Sequence, residues 1–244
     1  MKRLNPCALT SSAFALSLLV SGCVHRPPQL GPGRTLREIQ PQVITLDLTK
    51  GGLGKVPADF QVEQTGAGEP AAWAIVADPT AHGRGRVLAQ TSADAVNKQR
   101  FPLCIYQGLS LSNVQASVRL KPISGKVDQS GGVIVRYQDK DNYYTLRANI
   151  LEDNVRFYRY QNGKRYLVAG IAARITPGRW HTLTLLADGP RFICTFDDQQ
   201  FEAGDTTIPA PGRIGLWTKA DAVTHFNQLV VKSYDLPRSG TSSP

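Results

Sequence analysis

Between Val43 and Tyr234 the chain breaks into a dozen or so short runs of alternating character, and no stretch sustains a helical period for three turns. The runs are VITLDL, WAIVAD, RVLAQT, LCIYQG, VQASVRLK, GGVIVRY, YYTLRANI, VRFYRY, RYLVAGI, WHTLTLLAD, RFICTFD, RIGLWT and THFNQLVVKSY. Most are rich in β-branched and aromatic residues, and QDKDN, EDN, QNG, DGP and PAPG punctuate them as turns. Strands of this length cannot bury themselves singly. The pattern therefore predicts an all-β domain of two antiparallel sheets, a β-sandwich or jelly roll, over residues 43–234. Roughly 190 residues suffice for one sizeable core.

Three turns carry defined mechanics. Asn162-Gly163, between FYRYQ and KRYLV, suits a hairpin turn that needs positive φ. Asp188-Gly189 is a second such signal, and Asp139 to Asn142 joins GGVIVRY to YYTLRANI. Consecutive antiparallel strands follow from them.

A strand presents alternate residues to opposite faces. In YYTLRANI, Tyr144, Leu146, Ala148 and Ile150 form an apolar set, and Tyr143, Thr145, Arg147 and Asn149 a polar one. In VRFYRY, Val155 and Phe157 oppose Arg156, Tyr158 and Tyr160, and in VIVRY, Ile134 and Arg136 share a face. With the apolar sets turned inward, Arg136, Tyr143, Arg147, Asn149, Arg156 and Tyr158 are expected to line one outer sheet face. Trp217 stands at its rim. Arginine beside tyrosine suits sugar hydroxyls, uronates and ring stacking. The plainer reading is a solvated face whose side chains pair across strands. Trp180 and Trp73 are expected in the core, and Lys219 and Asp221 as surface partners of each other.

The ends lie outside this pattern. Lys2 and Arg3, the apolar run Ala8–Val20 and then VSGC read as a secretory signal peptide over residues 1–22, too short for a transmembrane span. VSGC resembles the lipobox of bacterial lipoproteins, which implies lipidation at Cys23 and stable anchoring by several acyl chains. With Val24 rather than aspartate next, the resemblance implies the outer membrane, with the domain facing the periplasm. The proline- and glycine-rich segment up to residue 42 (HRPPQLGPGR within it) reads as a tether, and residues 235–244 as a disordered tail. Without Lys2 and Arg3 the chain has 26 Lys and Arg against 19 Asp and Glu, a net charge of +7. This charge is dispersed, and export makes nucleic acid an unfitting partner. The membrane, through its lipid anchor, and a glycan or envelope protein are the expected ones. Cys104 and Cys194 are candidates for a disulfide, with two separate buried thiols as the alternative.

From Gly131 onward the order GGVIVRYQDKDNYYTLRAN, EDNVRFYRYQNGKR, GRWHTLTLLADGPRFICTFDDQQ and GRIGLWTKADAVTHFNQLVV resembles concanavalin A-like, laminin-G-like jelly rolls of bacterial secreted proteins. It is similar in particular to the branch with the 3-keto-disaccharide hydrolase domain. The resemblance implies a concanavalin A-like jelly-roll β-sandwich of two antiparallel sheets. It also implies calcium as a family option, for which Asp128, Asp139, Asp141 and Asp205 are the loop acids. The hydrolase branch carries an acidic signature on the strand after the arginine-bearing one. Here YYTLRANILEDN has no carboxylate before Glu152, so that activity is not carried over. No strand pairs two acids as glycoside hydrolysis requires, so no catalytic residue is assigned. The expectation is a lipid-anchored envelope protein with a carbohydrate-binding or interaction domain. A glycan-active hydrolase or lyase is the first alternative and a structural envelope protein the second. A carboxylate or histidine on the predicted face would favour an enzyme, an open aromatic-walled groove a binding module, and a covered face a structural role.

Overall fold

A computed structural model of the chain describes residues 40–235. Cys23, the predicted signal peptide, the tether before residue 40 and the tail from residue 236 lie outside the described residues. Fifteen strands follow in order: β1 (Gln42–Leu46), β2 (Phe60–Thr65), β3 (Trp73–Ala77), β4 (Arg86–Gln90), β5 (Phe101–Leu111), β6 (Val114–Ser124), β7 (Ser130–Asp139), β8 (Asn142–Asn149), β9 (Asn154–Gln161), β10 (Lys164–Ala172), β11 (His181–Asp188), β12 (Arg191–Phe196), β13 (Gln199–Gly204), β14 (Gly212–Trp217) and β15 (Val223–Ser233). β2 (FQVEQT) and β13 (QQFEAG) are additions to the sequence reading. Both are polar edge strands, so they lack the apolar alternation that marks the others.

Every strand pairing is antiparallel. One sheet runs β13-β12-β11-β6-β15-β4-β3, with β1 also paired to β15; the other runs β10-β9-β8-β7-β14-β5-β2. This is the concanavalin A-like jelly-roll β-sandwich. The main core lies between the sheets. Val118, Leu120, Leu183 and Leu185 meet Val133, Val135, Tyr144, Leu146, Val155 and Phe157, following the predicted alternation of β8 and β9. Trp73 lies in this core.

The hairpins form where the signals stand, with the Asp188-Gly189 turn displaced by one residue. Asn162 and Gly163 have φ of 51° and 73° between β9 and β10. At the β11–β12 hairpin the register pairs Asp188 with Arg191, so the two-residue loop is Gly189-Pro190, with Gly189 at φ 53°. Glycine supplies the positive φ and proline the negative one that follows it.

Four expectations are corrected. Cys104 on β5 and Cys194 on β12 are both free and buried, one in each sheet, and burial raises both thiols far above their ordinary pKa. Trp180 precedes β11 rather than forming part of it. It is half-exposed, and the inward alternation of that strand begins at His181. Lys219 and Asp221 do not pair. Lys219 Nζ reaches Asp128 Oδ2 at 2.8 Å, while Asp221 accepts the amides of Lys126, Val127 and Asp128 and pins that loop. Arg136 does not face outward with Ile134. A β-bulge in β7 falls between Val135 and Asp139, with Arg136 at φ 50°, and it inverts the faces. Tyr137 thereby joins the outer face, its ring 5.9 Å from that of Tyr143 and tilted by 33°. Arg136 turns to the end of the sandwich, where it donates to the carbonyls of Ser112, Ile208 and Gly189.

Candidate functional site: the curled face of the β10–β2 sheet

The outer face of the β10–β2 sheet is concave. β9 and β5 stand four spacings apart in the strand order, about 19 Å in a flat sheet. Yet the rings of Tyr160 on β9 and Phe101 on β5 lie 5.2 Å apart. The sheet has curled until its two halves touch. A second core fills the closed part: Phe101, Leu103, Ile105, Ile134, Tyr137, Tyr143, Tyr158, Tyr160 and Trp217, all nearly or fully buried. Tyr143 stacks on Tyr160 at 4.3 Å and Phe101 on Trp217 at 5.8 Å. Arg165 of β10 closes the top, its guanidinium 5.3 Å from the ring of Phe101 and 4.6 Å from that of Tyr158.

One cross-strand row carries the polar chemistry. From the edge inward it reads Gly170, Arg156, Arg147, Gly132, Trp217. Arg147 and Arg156 are direct cross-strand partners, a placement that repels. The flanking glycines make room for them. A Cβ on Gly132 would stand 2.7 Å from the carbonyl of Leu146 and 3.1 Å from Cβ of Arg147, and one on Gly170 3.0 Å from Cγ of Arg156.

Glu152, from the β8–β9 turn, offsets this charge. Its carboxylate lies 2.7 Å from Arg147 Nη2 and accepts Asn154 Nδ2 at 3.1 Å. Arg147 Nη1 donates to Asn154 Oδ1 at 2.9 Å, and Nη2 also approaches the Tyr158 hydroxyl at 3.3 Å. Arg147 is 2% exposed, and its Nε is buried with no partner. Burial works against ionisation of Glu152, but Arg147, Asn154 and Arg156 outweigh it and hold the carboxyl at about 2. Burial likewise works to raise the Tyr158 phenol, and the neighbouring Arg147, Arg156 and Arg165 bring it below its ordinary value.

A depressed carboxyl pKa means stability present above the unfolded value near 4.5 and lost as pH falls through about 2. Wild-type protein is therefore expected to lose stability across pH 4.5 to 2 more steeply than Glu152→Gln, read as urea midpoints at stepped pH. Parallel profiles would remove Glu152 from the acid response.

Six of the seven predicted groove residues share this face; Arg136 does not. Tyr143 and Trp217 are wholly buried in the second core, so neither offers an open stacking platform. For Trp217 this corrects the expected rim position: Phe101, its diagonal neighbour on the adjoining strand β5, stacks on its ring within the second core. Asn149 is spent on structure: its amide donates to Asp128 and its Oδ1 accepts the Leu151 amide. Arg156 remains half-exposed at the head of a cleft of about 440 Å³, lined with Glu152, Asp153, Asn154, Leu167, Gly170 and Ile171.

Sequence reasoning missed Glu152, Asn154 and Arg165. Glu152 of the EDN turn stands three residues beyond Asn149, and a turn carboxylate that close to a hairpin strand can fold back on an arginine inside it. Arg165 pairs with Tyr160 across the Asn-Gly hairpin, a register legible in advance. The loop acids considered for calcium are dispersed. Asp128 serves Lys219, Asp205 serves Arg159 and Tyr144, and Asp139 and Asp141 sit in the β7–β8 turn. No three His, Cys, Asp or Glu side chains converge as metal ligands among the described residues. The face combines features of all three functional expectations: a carboxylate beside Arg147, aromatic walls, and a large covered portion.

No protein-family model and no curated protein matches the chain. Solved structures share its fold. The carbohydrate-binding module CBM66 from Bacillus subtilis is similar at 20% identity, with a TM-score of 0.56 over 70% of this chain and 95% of that one. The exoplasmic/lumenal domain of VIP36, in its Ca2+/Man-bound form, is similar at 9% identity, with a TM-score of 0.51 over 80% of this chain and 92% of that one.

Proposed function

We propose that this domain binds carbohydrate in the cleft at the β9–β10 edge, on a protein anchored by lipid at Cys23 in the outer membrane. The observation that carries the reading is the Arg147–Arg156 pair. Two guanidiniums stand directly opposite across β8 and β9, with Glu152 as the carboxylate between them. Arg147 is 2% exposed and held by Glu152 and Asn154, so the half-exposed Arg156 is the guanidinium free to meet a ligand dense in oxygen acceptors. Arg156 and the exposed Leu167 offer one polar and one apolar wall, the mixture a sugar ring presents in return. Glu152 and Asp153 line the cleft beside Arg156, so it offers both acceptors and donors to sugar hydroxyls. A carbohydrate-binding module and a mannose-bound domain on the same fold agree with this reading.

Calorimetric titration of the full chain with neutral and acidic oligosaccharides tests it. Binding of an oligosaccharide is expected to weaken at least tenfold, about 1.4 kcal/mol, in Arg156→Ala. Arg156 is half-exposed, so the fold should persist, and an unchanged melting temperature checks that. Failure of every glycan to bind, or equal binding by Arg156→Ala, would overturn the proposal.

A further inference from the structure

A second cleft lies away from the curled face, lined by none of the residues of the Arg147–Arg156 cleft. Its walls are the segment between β10 and β11 (Arg174, Thr176, Arg179, Trp180), together with His181, Asp197 and Thr80, and it encloses about 550 Å³. The walls are braced. Trp180 Nε1 donates to Thr80 O at 3.1 Å, tying the β10–β11 segment to the β3–β4 connection. Lys121 Nζ donates to Thr80 Oγ1 at 2.8 Å, and Asp78 accepts both the amide and the hydroxyl of Thr80. His181 Nε2 lies 3.1 Å from Thr176 O.

The charge here is unbalanced. Arg119 and Lys121 stand over the Trp180 ring at 5.3 and 5.1 Å, and Arg174 and Arg179 are exposed at the cleft. Both neighbouring carboxylates are already committed. Asp78 holds Lys121 at 2.5 Å and His225 at 2.7 Å, while Asp197 holds His181 Nδ1 at 2.8 Å and the Thr182 amide at 2.8 Å. Among the described residues, Arg119, Arg174 and Arg179 have no carboxylate within ion-pair distance. Two exposed guanidinium forks beside the braced Trp180, neither ion-paired with the Asp197 that shares the cleft, suit a tetrahedral oxyanion, which arginine binds in bidentate fashion. The cleft is larger than a bare phosphate, leaving room for the group that carries it.

The geometry points to a second ligand site, for a phosphate-class oxyanion, formed by Arg174 and Arg179 beside Trp180. Its test does not depend on glycan binding at the other cleft. Of the three tryptophans, Trp73 and Trp217 are buried and Trp180 is half-exposed, so the Trp180 indole N–H reports the site in a nuclear magnetic resonance titration. The full chain is titrated with inorganic phosphate, and separately with sodium chloride at matched ionic strength. A saturable shift of the Trp180 indole with phosphate is expected, weakened at least tenfold in the double variant Arg174→Ala, Arg179→Ala. Both side chains are exposed, so folding is spared. A shift that chloride reproduces, or that survives in the double variant, overturns the proposal. A second arm locates the source of the phosphate, using the full chain carrying Cys23→Ser. Retention on phosphatidylglycerol but not phosphatidylcholine vesicles, lost in the double variant, assigns the phosphate to a lipid headgroup. Phosphate binding without vesicle retention assigns it to a soluble or polymeric ligand.

Discussion

Trp217→Ala is expected to destabilise the domain by about 3–5 kcal/mol, lowering its melting temperature by roughly 10 °C. The indole is fully buried on the concave face, stacked at 5.8 Å on Phe101 and surrounded by Leu103, Ile134 and Tyr160. Removing it opens a cavity where the two halves of the curled sheet meet, and backbone on either side cannot collapse into the gap without uncurling. A tryptophan serving as an exposed sugar platform would behave otherwise. Its loss would change stability by no more than about 0.5 kcal/mol and would register only in binding. Trp217→Phe should recover most of the stability, because a phenyl ring keeps most of the packing against Phe101 and the second core. Thermal unfolding of the two variants decides the matter, and a near-neutral Trp217→Ala would mean that the aromatic cluster is not a second core.

The second large effect is expected at Arg136. Arg136→Met should cost about 3–5 kcal/mol, read as a lower urea midpoint at unchanged m-value. The side chain is 2% exposed and has no carboxylate partner in the described structure. Its charge is absorbed by three carbonyls from three separate segments: Ser112 in the β5–β6 turn, Gly189 in the β11–β12 turn, and Ile208 before β14. Its guanidinium also lies 5.2 Å from the ring of Phe192. Methionine fills much of the volume but leaves three carbonyls short of a donor. Arg136→Lys is expected to recover less than half the loss, since one ammonium cannot span the three acceptors as a planar fork does. A cost below about 1 kcal/mol in Arg136→Met would show that these carbonyls find water instead.

Both effects fall on residues that the strand pattern placed on a binding groove, and both moved for reasons outside any one strand. The alternation of β8 was readable residue by residue. Tyr144, Leu146 and Ala148 face the core, and Tyr143, Thr145 and Arg147 face away from it, because period two follows from strand geometry alone. The bulge in β7 was not readable. An arginine at positive φ carries no local signal, and the distortion is held by contacts to segments 24 to 72 positions away. Glu152 shows the same limit. As a turn acid it looks solvated, and only the approach of Arg147 and Asn154 makes it the charge partner of a buried guanidinium.

The sequence by itself determined that the domain is an antiparallel sandwich, where its hairpins turn, and which face of each regular strand is apolar. These properties depend on neighbours within a few residues, where side-chain period and turn chemistry act. Only the tertiary structure decided that the outer face of one sheet curls shut over its own rings, that Arg136 leaves it, and that the accessible chemistry retreats to the Arg156 edge. Curvature accumulates over seven strands, and whether a side chain is solvated or enclosed depends on residues that no local pattern brings together.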